Sequence, residues 1–181
     1  RFEDKIGEME LMTKSEANAF CGYPDAQAEN VRVVENGDAE CRVQAFFKFE
    51  NTFAVLTYII PRNIDNIDVD IHMYANDVNR MYKYVIDTKK TGDFLGQTAF
   101  GVRNMENDGR EVTFHEWCGI DDCFVLNKGT YAGSAKDGKI MISLMRTPVY
   151  SAHPIEGRQL CESDRFTNHI DMGEREFQYR I

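Results

Sequence analysis

Asp68 and Asp70 stand two residues apart in the run IDVDIHMY at 67–74. On a strand that spacing puts both carboxylates on one face. A glycosidase needs two carboxylates flanking the scissile bond, about 5–9.5 Å apart, and this pair meets the spacing. Alternating acids on a strand are more often a solvated face, so the pair carries little weight alone. His115, Cys118 and Cys123 form HxxCxxxxC, with Asp121 and Asp122 inside it. These are zinc-ligand residue types, but the spacing matches no strong zinc pattern and no second cysteine pair follows. Buried thiols in a strand–turn–strand are the expectation. His72, His153 and His169 are isolated in the sequence. Trp117, the sole tryptophan, suits the core better than a sugar platform. No GxSxG elbow, P-loop or dinucleotide fingerprint occurs.

The elements that must position these groups read as strands. Residues 31–34 lead into Asn36-Gly37, a tight-turn pair. Residues 41–49 alternate, with Val43, Ala45, Phe47 and Phe49 on one face and Phe46 interrupting the polar one. A turn at Asn51-Thr52 precedes 53–60, which is apolar on both faces and predicts a central strand covered on both sides, ended by Pro61. Residues 67–74 place Ile67, Val69, Ile71 and Met73 on one side. Further strands fall at 8–13, 81–86 and 139–145, and a short helix at 15–20. Successive hairpins predict an antiparallel meander. Asp108-Gly109, Lys128-Gly129 and Asp137-Gly138 are turn signals, and 151–171 reads as a long loop. The fold class is mostly β, a large antiparallel β-sandwich in one domain over residues 1–181.

The formal charge of −9 disfavours a phosphate backbone, so nucleic acid is excluded as a partner. No apolar run approaches the roughly 18 residues of a membrane-spanning helix, so no membrane is implied. Five scattered cysteines, an odd number, argue against a disulfide-stapled secreted domain and for a reducing cytoplasm. The run EREFQYRI at 174–181 alternates charged and apolar residues, and the chain stops inside it. A strand ending so would leave backbone groups unpaired. We therefore read the chain, which opens at Arg1, as a piece of a longer protein.

Several segments in order carry a resemblance. They are DNIDVDI at 65–71 with NRMYK at 79–83, then FGV at 100–102, DGRE at 108–111 and HEW at 115–117. VLNKGTY at 125–131, SLMRTPVY at 143–150 and DMGEREF at 171–177 follow. Together they resemble the C-terminal β portion of the α-mannosidases of glycoside hydrolase family 38. Arg175 stands where that family usually has His, and Asp121-Asp122-Cys123 also departs from its pattern. The resemblance implies a partial sandwich of the galactose-mutarotase-like (supersandwich) type. It implies a parent that is a retaining glycosidase releasing terminal α-linked mannose. The parent's zinc and nucleophile would lie in an N-terminal catalytic barrel, so this stretch has no catalytic residue, metal ligand or cofactor of its own and is inactive alone. It implies that Arg146 approaches the sugar, with Tyr150 and Asn127 as further substrate-binding candidates. Asp171 and Glu174 are possible ion-pair partners for Arg146. Expected partners are the barrel of the same chain and a mannose-containing oligosaccharide. A homo-oligomer is expected from an apolar docking patch left open. The alternatives are a non-catalytic carbohydrate-binding module, or a mutarotase-like aldose epimerase. The last needs a His facing a carboxylate, and His72 with Asp70 is set aside as strand neighbours pointing apart.

Overall fold

The computed structural model describes residues 2–3, 30–148 and 168–181. Among them there are fourteen strands and no helix. The predicted strand at 8–13 and helix at 15–20 lie outside the described residues, as does most of the 151–171 loop. The strands form two antiparallel sheets, as the expected sandwich requires.

The larger sheet begins as a meander. β2 (Asn30–Asn36), β3 (Glu40–Phe49), β4 (Thr52–Pro61) and β5 (Asp68–Ala75) lie side by side in chain order. The β2–β3 turn falls later than expected, at Asp38-Ala39, because Asn36 still pairs with Cys41; Gly37 N–H donates to Glu40 O at 2.9 Å to close it. The next turn falls one residue earlier than expected, at Glu50-Asn51, because Thr52 belongs to β4. Its hydroxyl accepts from the backbone N–H of Asn76 and Asp77 and meets Tyr82 Oη at 2.9 Å. The meander stops at β5. β6 (Arg80–Asp87) crosses to the smaller sheet, which runs β1 (Phe2–Glu3), β6, β13 (Lys139–Arg146), β12 (Ala132–Lys136), β9 (Val112–Thr113). The larger sheet continues from β5 through β14 (Gly173–Arg180), β11 (Cys123–Asn127), β10 (Trp117–Ile120), β7 (Phe94–Thr98) and β8 (Gly101–Met105).

The position of β14 corrects one inference from the sequence. The final strand is not an open edge. It pairs with β5 along all eight residues and with β11 at Tyr179 and Arg180. Ile181 and Ile67 exchange two backbone bonds of 2.9 Å.

Alternation fills the space between the sheets. Val69, Ile71 and Met73 of β5 face Ile140 and Ile142 of β13 and Tyr84 of β6, all within one buried cluster. Burying each aliphatic side chain contributes about 1.5–3 kcal/mol before entropy. Tyr84 stacks on Tyr179 of the opposite sheet with ring centroids 5.6 Å apart. Asp137 and Gly138 both take positive φ, 51° and 75°, which makes the β12–β13 turn the mirror-image type that suits a two-residue hairpin. Asp121 (φ 53°) and Asp122 form the two-residue turn between β10 and β11, and Asp122 pairs with Lys90 Nζ at 2.7 Å.

β4 is central, as its sequence predicts, but among the described residues only one face is covered by another sheet. Ala54 and Leu56 are buried, whereas Phe53 on the outer face is 38% exposed. Val31 and Val33 of β2 are also exposed, because the nine-stranded sheet overhangs the narrower one.

Candidate functional site

Arg146 ends β13, opposite Met81 of β6, and is half-buried. The next residue, Thr147, is fully buried and bonds the β5–β6 crossover through its backbone and its hydroxyl, which also accepts from Arg80 N–H at 3.0 Å. Its hydroxyl donates to Asp77 O at 2.6 Å, its N–H donates to Arg80 O at 2.7 Å, and its carbonyl accepts from Asn79 N–H at 2.7 Å. Pro148 O accepts from Ile170 N–H at 3.0 Å. Arg146 therefore projects from a strand end held rigidly between the crossover and the approach to β14. Asp171 and Glu174 lie near that approach but pair elsewhere. Asp171 reaches Arg175 at 3.5 Å, and Glu174 reaches His72 Nε2 at 2.6 Å. Arg175 is half-exposed and also donates to Glu174 O at 2.8 Å. Tyr150 lies outside the described residues.

Asn127 sits in the other sheet, at the end of β11, so the structure does not gather it with Arg146 on one sheet. Its amide Oδ1 accepts from Thr130 N–H at 3.1 Å and its Nδ2 donates to His115 O at 2.8 Å. Both ends of the amide thus hold the 127–130 turn, which leads to Tyr131, 60% exposed. Tyr131, His115, Glu116, Arg103 and Thr98 border an open cleft beside this turn.

The cysteine–histidine run is structural. Cys118 and Cys123 face the interior, and burial pushes the Cys118 thiol up to about 12. A thiol so held stays protonated and is a poor metal ligand. Among the described residues no group of three or more His, Cys, Asp and Glu is placed to hold a metal ion. Trp117 departs from the core reading. It lies on the outer face of β10, with Phe124 edge-on at 5.5 Å and 79°.

Asp68 and Asp70 share a face as predicted, and each has a partner on β14. Asp68 takes a two-point contact from Arg180, at 2.6 and 2.8 Å, and these hydrogen bonds hold its carboxyl below the usual range. Asp70 accepts from Gln178 Nε2 at 3.2 Å. The rejection of His72 with Asp70 needs correction. Residues two apart on a strand point the same way, so both face outward, and His72 has Glu174 and Glu176 of β14 beside it. Gln44, Thr57, Asp70, His72 and Gln178 line a groove across β3, β4, β5 and β14. The sequence hid this site because it needs the β5–β14 register, which joins residues more than a hundred positions apart.

No family model matches the sequence, and no curated protein matches it. Solved structures do. A glycosyl hydrolase family 38 protein from Enterococcus faecalis matches with a TM-score of 0.67 at 12% identity, over 87% of this chain and 22% of that one. An α-mannosidase from Enterococcus faecalis V583 matches with a TM-score of 0.65 at 11% identity, again over 87% and 22%. The fold is that of one portion of these proteins. The chain spans about a fifth of their length.

Proposed function

We propose that this chain is the β-sandwich portion of an α-mannosidase of glycoside hydrolase family 38. In the parent it braces a zinc-dependent catalytic barrel and completes the rim of the sugar pocket. The observation that carries this reading is the fold match, which takes in nearly all of this chain and a fifth of each neighbour. The ordered motifs from 65 to 177 support the same family. In this reading the bond-breaking groups, the zinc and the nucleophile belong to the barrel, and the cellular setting is cytoplasmic.

Arg146 is the residue assigned to the rim. Its guanidinium offers a planar set of donors suited to vicinal hydroxyls. The Thr147 bonds fix the backbone that carries it, so little reorganisation accompanies binding. Asn127 acts one step back, by shaping the turn that presents Tyr131.

The test is the coding sequence upstream of Arg1. The reading expects a barrel carrying paired His and Asp zinc ligands. An initiator methionine one or two codons upstream would overturn it.

A further inference from the structure

We propose that the groove on the outer face of the nine-stranded sheet binds a neutral oligosaccharide, at a site separate from the Arg146 rim. One end of the groove is aromatic. Phe53 lines it, and Phe46 and Tyr74 stack on Phe53 from β3 and β5, beyond the groove, with ring centroids 6.2 and 5.5 Å apart. Phe53 and Tyr74 each remain 38% exposed, so their outer rims face solvent in a shared strip. Such rings offer an apolar, electron-rich surface to the C–H face of a sugar.

The other end is a polar row in register: Gln44, Thr57, Asp70 and Gln178. Gln44 Nε2 donates to Thr57 Oγ1 at 3.2 Å, and Gln178 Nε2 donates to Asp70 Oδ1 at 3.2 Å. These bonds fix the side chains yet leave capacity. The Thr57 hydroxyl can still donate, and Asp70 Oδ2 and Gln178 Oε1 can still accept. The neighbouring row differs, since Asp68 and Arg180 saturate one another there. A row that both donates and accepts, facing an aromatic strip, fits hydroxyl-rich ligands.

Charge narrows the class further. Asp70 and Glu176 line the groove, and Glu174 pairs with its His72, on a chain of net charge −9, which repels anionic polymers. Thr57 lies four positions along β4 from Phe53, so the aromatic and polar rows lie about 13 Å apart along the strand. The groove is open to solvent and has a volume of about 450 Å³, within the roughly 300–1,000 Å³ typical of small-ligand sites. That size suits a short oligosaccharide.

The experiment titrates the 181-residue chain with mannotetraose and maltotetraose, followed by amide chemical shifts and calorimetry. Saturable binding at millimolar concentration or tighter is expected, with shifts confined to β3, β4, β5 and β14. Asp70→Asn and Gln178→Ala should each weaken binding at least fivefold without moving the melting temperature. Phe53→Ala should also weaken it. No saturation, shifts centred on Arg146, or binding unaltered by the Asp70 and Gln178 changes would overturn the proposal. Self-association of the chain through this same face without sugar would overturn it too. The result is independent of the mannosidase reading, because the isolated chain supplies every group involved.

Discussion

Lys83 Nζ lies 2.5 Å from Glu111 Oε2 and 2.8 Å from Ser134 Oγ, with the lysine side chain only 3% exposed. The Ser143 hydroxyl donates to the other Glu111 oxygen. This contact joins the NRMYK and DGRE segments, two of the motifs behind the family resemblance, across the outer face of the smaller sheet. Their coincidence in sequence thus has a structural cause: one supplies a buried cation, the other its counter-ion.

Removing one partner should therefore harm the fold. Glu111→Gln and Lys83→Met each leave a charge or its hydroxyl partners uncompensated, and breaking a buried pair costs about 3–5 kcal/mol. Glu111 is itself partly exposed, so the lower end of that range is expected for its substitution. Urea denaturation should show a lower midpoint for both variants. The double variant should cost less than the sum of the two.

Thr147→Val tests the support beneath Arg146. It deletes the hydroxyl that bonds Asp77 O within a fully buried site. Leaving that carbonyl unsatisfied costs about 1–3 kcal/mol. The melting temperature should fall, and, under the proposed mannosidase reading, the complete gene product's Michaelis constant for mannoside should rise while its zinc content is unchanged.

Gly119→Ala should disturb the only tryptophan. An added methyl would sit 2.6 Å from Phe124 Cδ1 and 2.7 Å from Cys123 O. Phe124 must shift, which breaks its edge contact with Trp117. Overpacking of this kind costs about 1–3 kcal/mol. A changed tryptophan emission in the folded state, with lower stability, is the expected outcome.

The Asp68–Arg180 pair gives a pH dependence. The folded carboxyl titrates below its ordinary value of 3.8, chiefly through the hydrogen bonds from Arg180. A depressed carboxyl stabilises the fold above the unfolded value, and that contribution is lost as pH falls through the folded one. Arg180→Gln should raise the Asp68 midpoint in a carboxyl NMR titration. Wild type and variant should converge in stability at pH values below both midpoints.

Much of the sheet layout was legible in the chain, and for physical reasons. The alternation in 41–49 and 67–74 and the Asp137-Gly138 turn act locally and appear where their patterns place them, whereas the β2–β3 turn falls past the Asn36-Gly37 pair, at Asp38-Ala39. The other misread features depend on distant pairing. β14 sits in mid-sheet because β5 and β11 claim both its sides, which nothing in 174–181 can reveal. β4 is apolar on both faces, yet its outer side carries an aromatic ladder in place of a covering layer. The groove needs four strands in register. Arg146 is assigned only through its motif, since a lone arginine at a strand end has no distinguishing local pattern.

The account rests on this chain being the supporting portion of an α-mannosidase. Its most direct test is hydrolysis of p-nitrophenyl α-mannoside with zinc present, measured for residues 1–181 alone and for the complete gene product. The account predicts turnover by the complete product, abolished by chelation, and none by residues 1–181. Turnover by residues 1–181 alone, or none by a folded, zinc-loaded complete product, would contradict it.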